Sequence, residues 1–215
     1  MYVPEHFATT DADALIARLA RRAAGVLVSV DSGGQPVATH MPTLWDAENR
    51  IARGHIARAN PQWKLGAGRG LIVLSGPEAY VSPSFYRSKA EHGKVVPTWN
   101  YEAVHLSGVV EWFDDAARLE TVVRDLSALH EGGRATPWSI ADAPRPYIDA
   151  MLRGIVGVEM RVEKVEAKRK LSQNKSAADF EGVIAGLEQG GEPAAGELAG
   201  LMRATRAVSD DPDGN

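Results

Sequence analysis

The chain has 215 residues, 44% apolar, 24% charged and 7% aromatic, and 24 Lys plus Arg against 28 Asp plus Glu leave a formal charge of −4. This is an ordinary globular mixture, and at roughly 100–200 residues per domain it suits one well-cored domain with additions. The negative balance withholds the long-range positive field of a nucleic-acid binder, and the lack of cysteine excludes disulfides, thiolate metal sites, iron–sulfur clusters and cysteine nucleophiles.

The opening MYVPEHFATTDAD carries acids and a proline but no apolar core, so no secretory signal is expected. No stretch reaches the roughly 20 apolar residues of a membrane span. The expectation is a cytoplasmic protein with no membrane partner. Asp11 is placed to cap a helix bearing Leu15, Ile16, Leu19, Ala20 and Ala23 at three- and four-residue spacing, with Gly25 as its stop. β-favouring runs follow at Gly25 to Val30, Pro36 to Trp45 and Arg50 to Ala57, with a DSGGQ turn after the first; they read as an antiparallel meander.

Ala59 to Gly66 predicts a short helix, with Asn60 at the N-cap, Pro61 at the first helical position and Gly66 at the end. Leu71 to Gly76 predicts a buried strand, and Trp99 to Phe113 a long one in which Gly108 marks a bulge or a close approach. Asp114 or Asp115 caps a second helix bearing Leu119, Val122, Val123, Leu126 and Leu129, and Pro144 to Leu152 forms a third. Val156, Val158, Met160 and Val162 alternate with Gly157, Glu159 and Arg161, the period of a strand with one buried face. Ser176 with Asp179 resembles a capping box opening a helix to Leu187, and a last helix runs from Ala194 to Val208 before a tail expected to be disordered. The division read from this is a domain over 1–175 with its N-terminal helix, a helical extension over 176–208 and a tail over 209–215. Many strands without a helix between each pair favour an antiparallel barrel over a parallel sheet.

Chemistry concentrates in two stretches. In GHIARANPQW (54–63) a strand delivers His55, then Arg58 and a helix start at Asn60. Such a start offers backbone N–H groups, and Arg58 a planar fork, to a phosphate; the alternative is a surface ion pair at Arg58 and an ordinary cap at Asn60. In KRKLSQNK (168–175) four cations surround amide and hydroxyl donors that suit an anion or a heterocycle edge, or form a solvated basic turn. The six histidines show no ligand spacing, so no metal site is expected. No side chain declares itself as a general acid or base, and the catalytic residues stay unknown.

The motifs GHIARANPQW (54–63), GPEAYVSPSFY (76–86), VPTWNYEAVHLSG (96–108), IVGVE (155–159) and KLSQNK (170–175), taken in order, resemble the PaiB-type family of FMN-binding negative transcriptional regulators. The resemblance implies an α+β fold: a six-stranded antiparallel Greek-key split β-barrel with peripheral helices, homodimeric, with FMN near the subunit interface. Carried over by motif, it implies cofactor contacts at His40, His55, Ile56, Arg58 and Asn60, with Thr98, Trp99 and Tyr101 as wall residues. It also implies that Lys170 and Gln173 reach the flavin from the late strand, in one chain or its partner. The chain departs from the family pattern at Ala167, at Lys175 where an arginine is usual, and at Phe85 where tryptophan is commoner. The implied function is a dimeric FMN-binding regulator acting indirectly on transcription, since direct nucleic-acid binding is disfavoured by charge; the alternative is a flavin-dependent oxidoreductase acting on a small molecule. A haem protein is a third reading, distinguished by its Soret band.

Overall fold

The computed structural model describes residues 1–210, with side chains in the last helix as far as Arg206. Seven strands form one sheet: β1 (Gly25–Val30), β2 (Pro36–Met41), β3 (Leu44–Asp46), β4 (Ile51–Ala57), β5 (Gly68–Val81), β6 (Thr98–Phe113) and β7 (Ile155–Lys170). Their order is β2-β1-β5-β6-β7-β4-β3, so β1 to β5 and β7 to β4 are the non-consecutive neighbours. β1 pairs antiparallel with β2 and with β5, and β4 pairs antiparallel with β3 and with β7.

Seven strands replace the six expected. The run Pro36 to Trp45 divides into β2 and β3 at Pro42 and Thr43, because proline has no N–H to continue a ladder. Gly25 begins β1 instead of stopping the first helix, whose C-cap is Ala23. The helices are α1 (Ala12–Arg22), α2 (Ser88–His92), α3 (Ala116–Glu131), α4 (Arg145–Arg153), α5 (Ala177–Gln189) and α6 (Pro193–Asp210). Asp11, Asp115 and Ser176 accept from the backbone N–H three residues on and so cap α1, α3 and α5. Residues 211–215 of the expected tail lie outside the described residues. Among those described, no helix is long and apolar enough to cross a membrane.

The chain divides into two compact units that cut across the linear boundary at 175. Unit 1 takes Met1–Thr10, Ser75–Ala103 and Ala167 onward; unit 2 takes Asp11–Leu74 and Val104–Glu166. In unit 2, β2 lies against β4 without pairing to it, so that part of the sheet curls. Its core holds Ile16, Leu19, Leu27, Met41, Ile72, Leu106 and Met160, and Leu119 of α3 packs with Ile148 and Leu152 of α4. Gly108 makes the close approach its sequence position suggests: a Cβ there would overlap the backbone carbonyl of Arg161.

In unit 1, Phe180, Val183, Ile184 and Leu187 of α5 pack with Leu198 and Met202 of α6, and with Val81, Tyr86 and Leu171. Gly182 and Gly186, one turn apart on α5, admit the backbone and ring of Phe85. Asp179 does not close the capping box. Its carboxylate instead accepts from the N–H and hydroxyl of Ser88, at 2.9 and 2.8 Å, which ties α2 to α5.

Candidate functional site

In unit 2, alternation along β4 turns Ala52, Gly54 and Ile56 into the buried face and leaves Arg53 and His55 on the other. Ile56 is therefore a core side chain, 4% exposed. His55 lines a cavity of about 300 Å³ with Pro42, Leu126, His130, Glu131 and Trp138, and its Nδ1 is buried with no hydrogen-bond partner. Burial holds the imidazoles of His55 and His105 below their ordinary 6.5.

The unfolded state accordingly binds protons that the folded histidines refuse, and stability falls as pH drops below 6.5. The loss is less than about 1.4 kcal/mol per pH unit for each group. Urea midpoints at pH 7.5 and 5.5 should show it, and His55→Gln should flatten the slope. An unchanged slope in the variant would remove His55 as a source.

After β4 the chain turns through Arg58, whose N–H donates to Gly154 O at 2.8 Å. The Arg58 guanidinium donates to Arg153 O at 2.8 Å and Ile155 O at 3.1 Å, and it lies 3.5 Å from the Asp114 carboxylate. Of its five N–H donors, three are engaged by the protein. Asn60 caps the next helix by accepting from Gln62 N at 2.9 Å, while its amide donates to Thr39 Oγ1 at 2.8 Å. That helix, Pro61–Leu65, is a five-residue 3-10 turn, too short to sum many peptide dipoles. Gln62 is 1% exposed and bonded to Ser29 and to backbone carbonyls of β1 and β2, so it packs the motif onto the sheet.

Arg58 lines a cavity of about 220 Å³ with Trp63, Trp112, Phe113, Asp114 and Val156. The indole N–H groups of Trp63 and Trp112 donate to Arg58 O and Gly66 O, which fixes both rings. Sequence reasoning left this aromatic wall unassigned, although Trp63 lies within the motif and Trp112-Phe113 directly precede Asp114. His40 is exposed on β2 and lines none of the cavities described here.

Arg58→Ala should lower stability by about 1–3 kcal/mol through the two lost charge-assisted bonds, measured by urea denaturation. A variant as stable as the parent would detach Arg58 from the start of β7.

In unit 1, Lys170 Nζ donates to Thr98 Oγ1 at 2.5 Å and to Trp99 O. Burial, with repulsion from Lys168 and Lys175, holds its ammonium below the usual lysine range. Trp99 is half exposed and meets Tyr80 edge to face with ring centroids 6.1 Å apart. Tyr101 has the Lys168 ammonium 5.4 Å from its ring centre. Gln173 folds back on its own turn, accepting from Leu171 N and donating to Arg169 O, so both ends of its amide hold backbone. The ten candidate positions thus separate into His40, His55, Ile56, Arg58 and Asn60 in unit 2, and Thr98, Trp99, Tyr101, Lys170 and Gln173 in unit 1. Among the described residues there is no cluster of three His, Asp or Glu side chains that could hold a metal ion.

Residues 1–164 match the family model described as "Putative FMN-binding domain". The chain belongs to this FMN-binding family. Over 208 residues, 94% of this chain and 96% of the relative, it is 32% identical to "Protease synthase and sporulation protein PAI 2" of Bacillus subtilis. Among solved structures it is similar to the conserved hypothetical protein Rv2991 of Mycobacterium tuberculosis, with TM-score 0.56, 15% identity and coverage of 82% and 94% of the two chains. It is also similar to the FAD and heme binding protein of Mycobacterium smegmatis, with TM-score 0.53, 17% identity and coverage of 81% and 78%. At those identities the two structures establish likeness of fold alone.

FMN is the cofactor of the FMN-binding family, and the donor sets present fit it. Unit 2 offers an aromatic-walled cavity edged by a guanidinium with two unengaged N–H donors. A separate cavity in the same unit carries the buried, unpartnered Nδ1 of His55. Unit 1 offers the Lys170 ammonium with one N–H remaining and the Thr98 hydroxyl.

Proposed function

We propose that this protein is a homodimeric, cytoplasmic FMN-binding regulator of the negative transcriptional regulator type, acting on transcription indirectly. The observation that carries the reading is the match of residues 1–164 to the FMN-binding family. The regulatory part is supported by near full-length similarity to the Bacillus subtilis protein named "Protease synthase and sporulation protein PAI 2". Indirect action is supported by the charge of −4, which disfavours approach to a polyanion.

In this reading Trp63 and Trp112 provide apolar surface for a flat ring, and Arg58 donates to an acceptor on the flavin. Asn60 and Gln62 hold the turn that presents them, and His55, in the neighbouring cavity, is held toward its neutral form by burial. Thr98 and Lys170 form a separate donor pair within unit 1. When bound, FMN supplies one- and two-electron transfer. Cavities of 190–300 Å³ lie at or below the roughly 300 Å³ where ligand pockets begin, which supports a site completed by a second copy.

The test is the visible spectrum of freshly purified protein, with mass analysis of what it releases on denaturation. A flavin spectrum and the mass of FMN are expected; colourless protein that also takes up no added FMN would overturn the reading. Light scattering should give twice the chain mass. A gel shift at two salt concentrations should show no specific operator complex, whereas tight binding with a steep salt slope would make the action direct.

A further inference from the structure

The end of β7 and the turn after it build a second polar cavity in unit 1, of about 190 Å³. At roughly 30 Å³ per water this is about six water volumes, room for a phosphate group and the first atoms of an ester. Its lining includes Lys170, Lys175, Tyr86, Thr98, Asn100 and Ser172. Two features require explanation together. Neither lysine is within ion-pair distance of a carboxylate among the described residues, although the buried Asp179 carboxylate attracts Lys175 from farther off and also acts on Tyr86, and the two ammonium groups repel each other. Tyr86 is 3% exposed, and its buried hydroxyl has no hydrogen-bond partner.

The donors are fixed in place. Lys170 is anchored by Thr98 Oγ1 and Trp99 O, which leaves one N–H. Lys175 Nζ stands 4.8 Å from the Tyr86 ring centre and brings unengaged N–H groups. Ser172 adopts φ +64, a left-handed conformation rare outside glycine and asparagine. It is locked there by reciprocal hydrogen bonds with Asn100, both residues being buried. By contrast, the cation at Arg58 already has Asp114 beside it.

We propose that this cavity binds a phosphate-type dianion, held by the Lys170 and Lys175 ammonium groups and the Tyr86 hydroxyl. Two cations crowded at one cavity, of which Lys175 alone is attracted by a carboxylate, that of Asp179, call for an anion, and donors on three separate side chains match a group with three terminal oxygens better than a planar carboxylate. The inference rests on the placement of these side chains and not on the flavin assignment. The phosphate is either the tail of FMN or that of a separate small ligand.

The experiment is a calorimetric titration of the FMN-free full chain with inorganic phosphate at pH 7, against chloride at equal ionic strength. Saturable phosphate binding is expected. Lys175→Met should weaken it at least tenfold and Tyr86→Phe severalfold, with melting temperatures in chloride confirming that both variants fold. Phosphate uptake no better than chloride, or unaltered in folded variants, would overturn the proposal. Repeating the titration on FMN-loaded and riboflavin-loaded protein identifies the source. Binding lost with FMN but kept with riboflavin makes the occupant the cofactor's own phosphate, and binding kept with both makes it a separate ligand. Loss with riboflavin as well would place the ring in the cavity and sink the proposal.

Discussion

Gly108→Val should leave a chain that does not reach the native fold, and Gly108→Ala should already lose about 3 kcal/mol, the upper part of the range for overfilled interiors. β6 lies between β5 and β7, and the atoms an added Cβ would meet at Gly108 are the carbonyl of Arg161 and the Cα of Val162. Both are backbone, so no rotamer change relieves the overlap; the strand itself must move. Gly68→Ala in β5 is the control, because a Cβ there meets nothing within 4 Å. It should match the parent or exceed it slightly through a less flexible unfolded chain. Urea denaturation followed by circular dichroism reads both. A Gly108→Ala protein as stable as the Gly68→Ala one would show that β6 and β7 are packed differently.

Arg169→Ala should cost about 3 kcal/mol. Arg169 Nε donates to Glu102 Oε1 at 2.7 Å, and the Glu102 side chain is fully buried while that of Arg169 is 27% exposed. Removing the guanidinium strands a carboxylate in a low-dielectric interior, a change worth about 3–5 kcal/mol. Glu102 keeps other contacts, which sets the expected loss near the lower end. The double variant Arg169→Met with Glu102→Leu should recover most of the stability, because an apolar pair of similar size carries no desolvation penalty. A double variant no more stable than Arg169→Ala alone would mean that the arginine acts by packing and not by charge.

That ion pair also shows where sequence reading reaches its limit. KRKLSQNK reads as one basic turn, yet β7 runs on to Lys170, and the period of two divides the cations between faces. Lys168 approaches the Tyr101 ring, Lys170 goes to Thr98, and Arg169 between them goes to Glu102. A polar strand end has no apolar alternation to reveal it, whereas Val156 to Val162 does. The caps at Asp11, Asp115 and Ser176 were legible because capping is local chemistry, satisfied within three residues. The Arg58 site was legible only in part. Its motif marks a strand passing into a capped turn, but the partners that engage the guanidinium, Arg153, Ile155 and Asp114, are more than 50 residues distant. No local pattern specifies such pairings. Tyr86 was visible in sequence only as one aromatic residue among several, since an unpartnered hydroxyl is a property of the folded neighbourhood.

The way the backbone threads the two units bears on how this protein can change over generations. Of the four passages from one unit to the other, the one at 10/11 lies just before α1, and those at 74/75, 103/104 and 166/167 fall inside β5, β6 and β7. Neither half corresponds to an uninterrupted stretch of coding sequence, so neither can be copied, shuffled or inherited as a cassette. A frameshift or deletion in any of those three strands damages both halves at once.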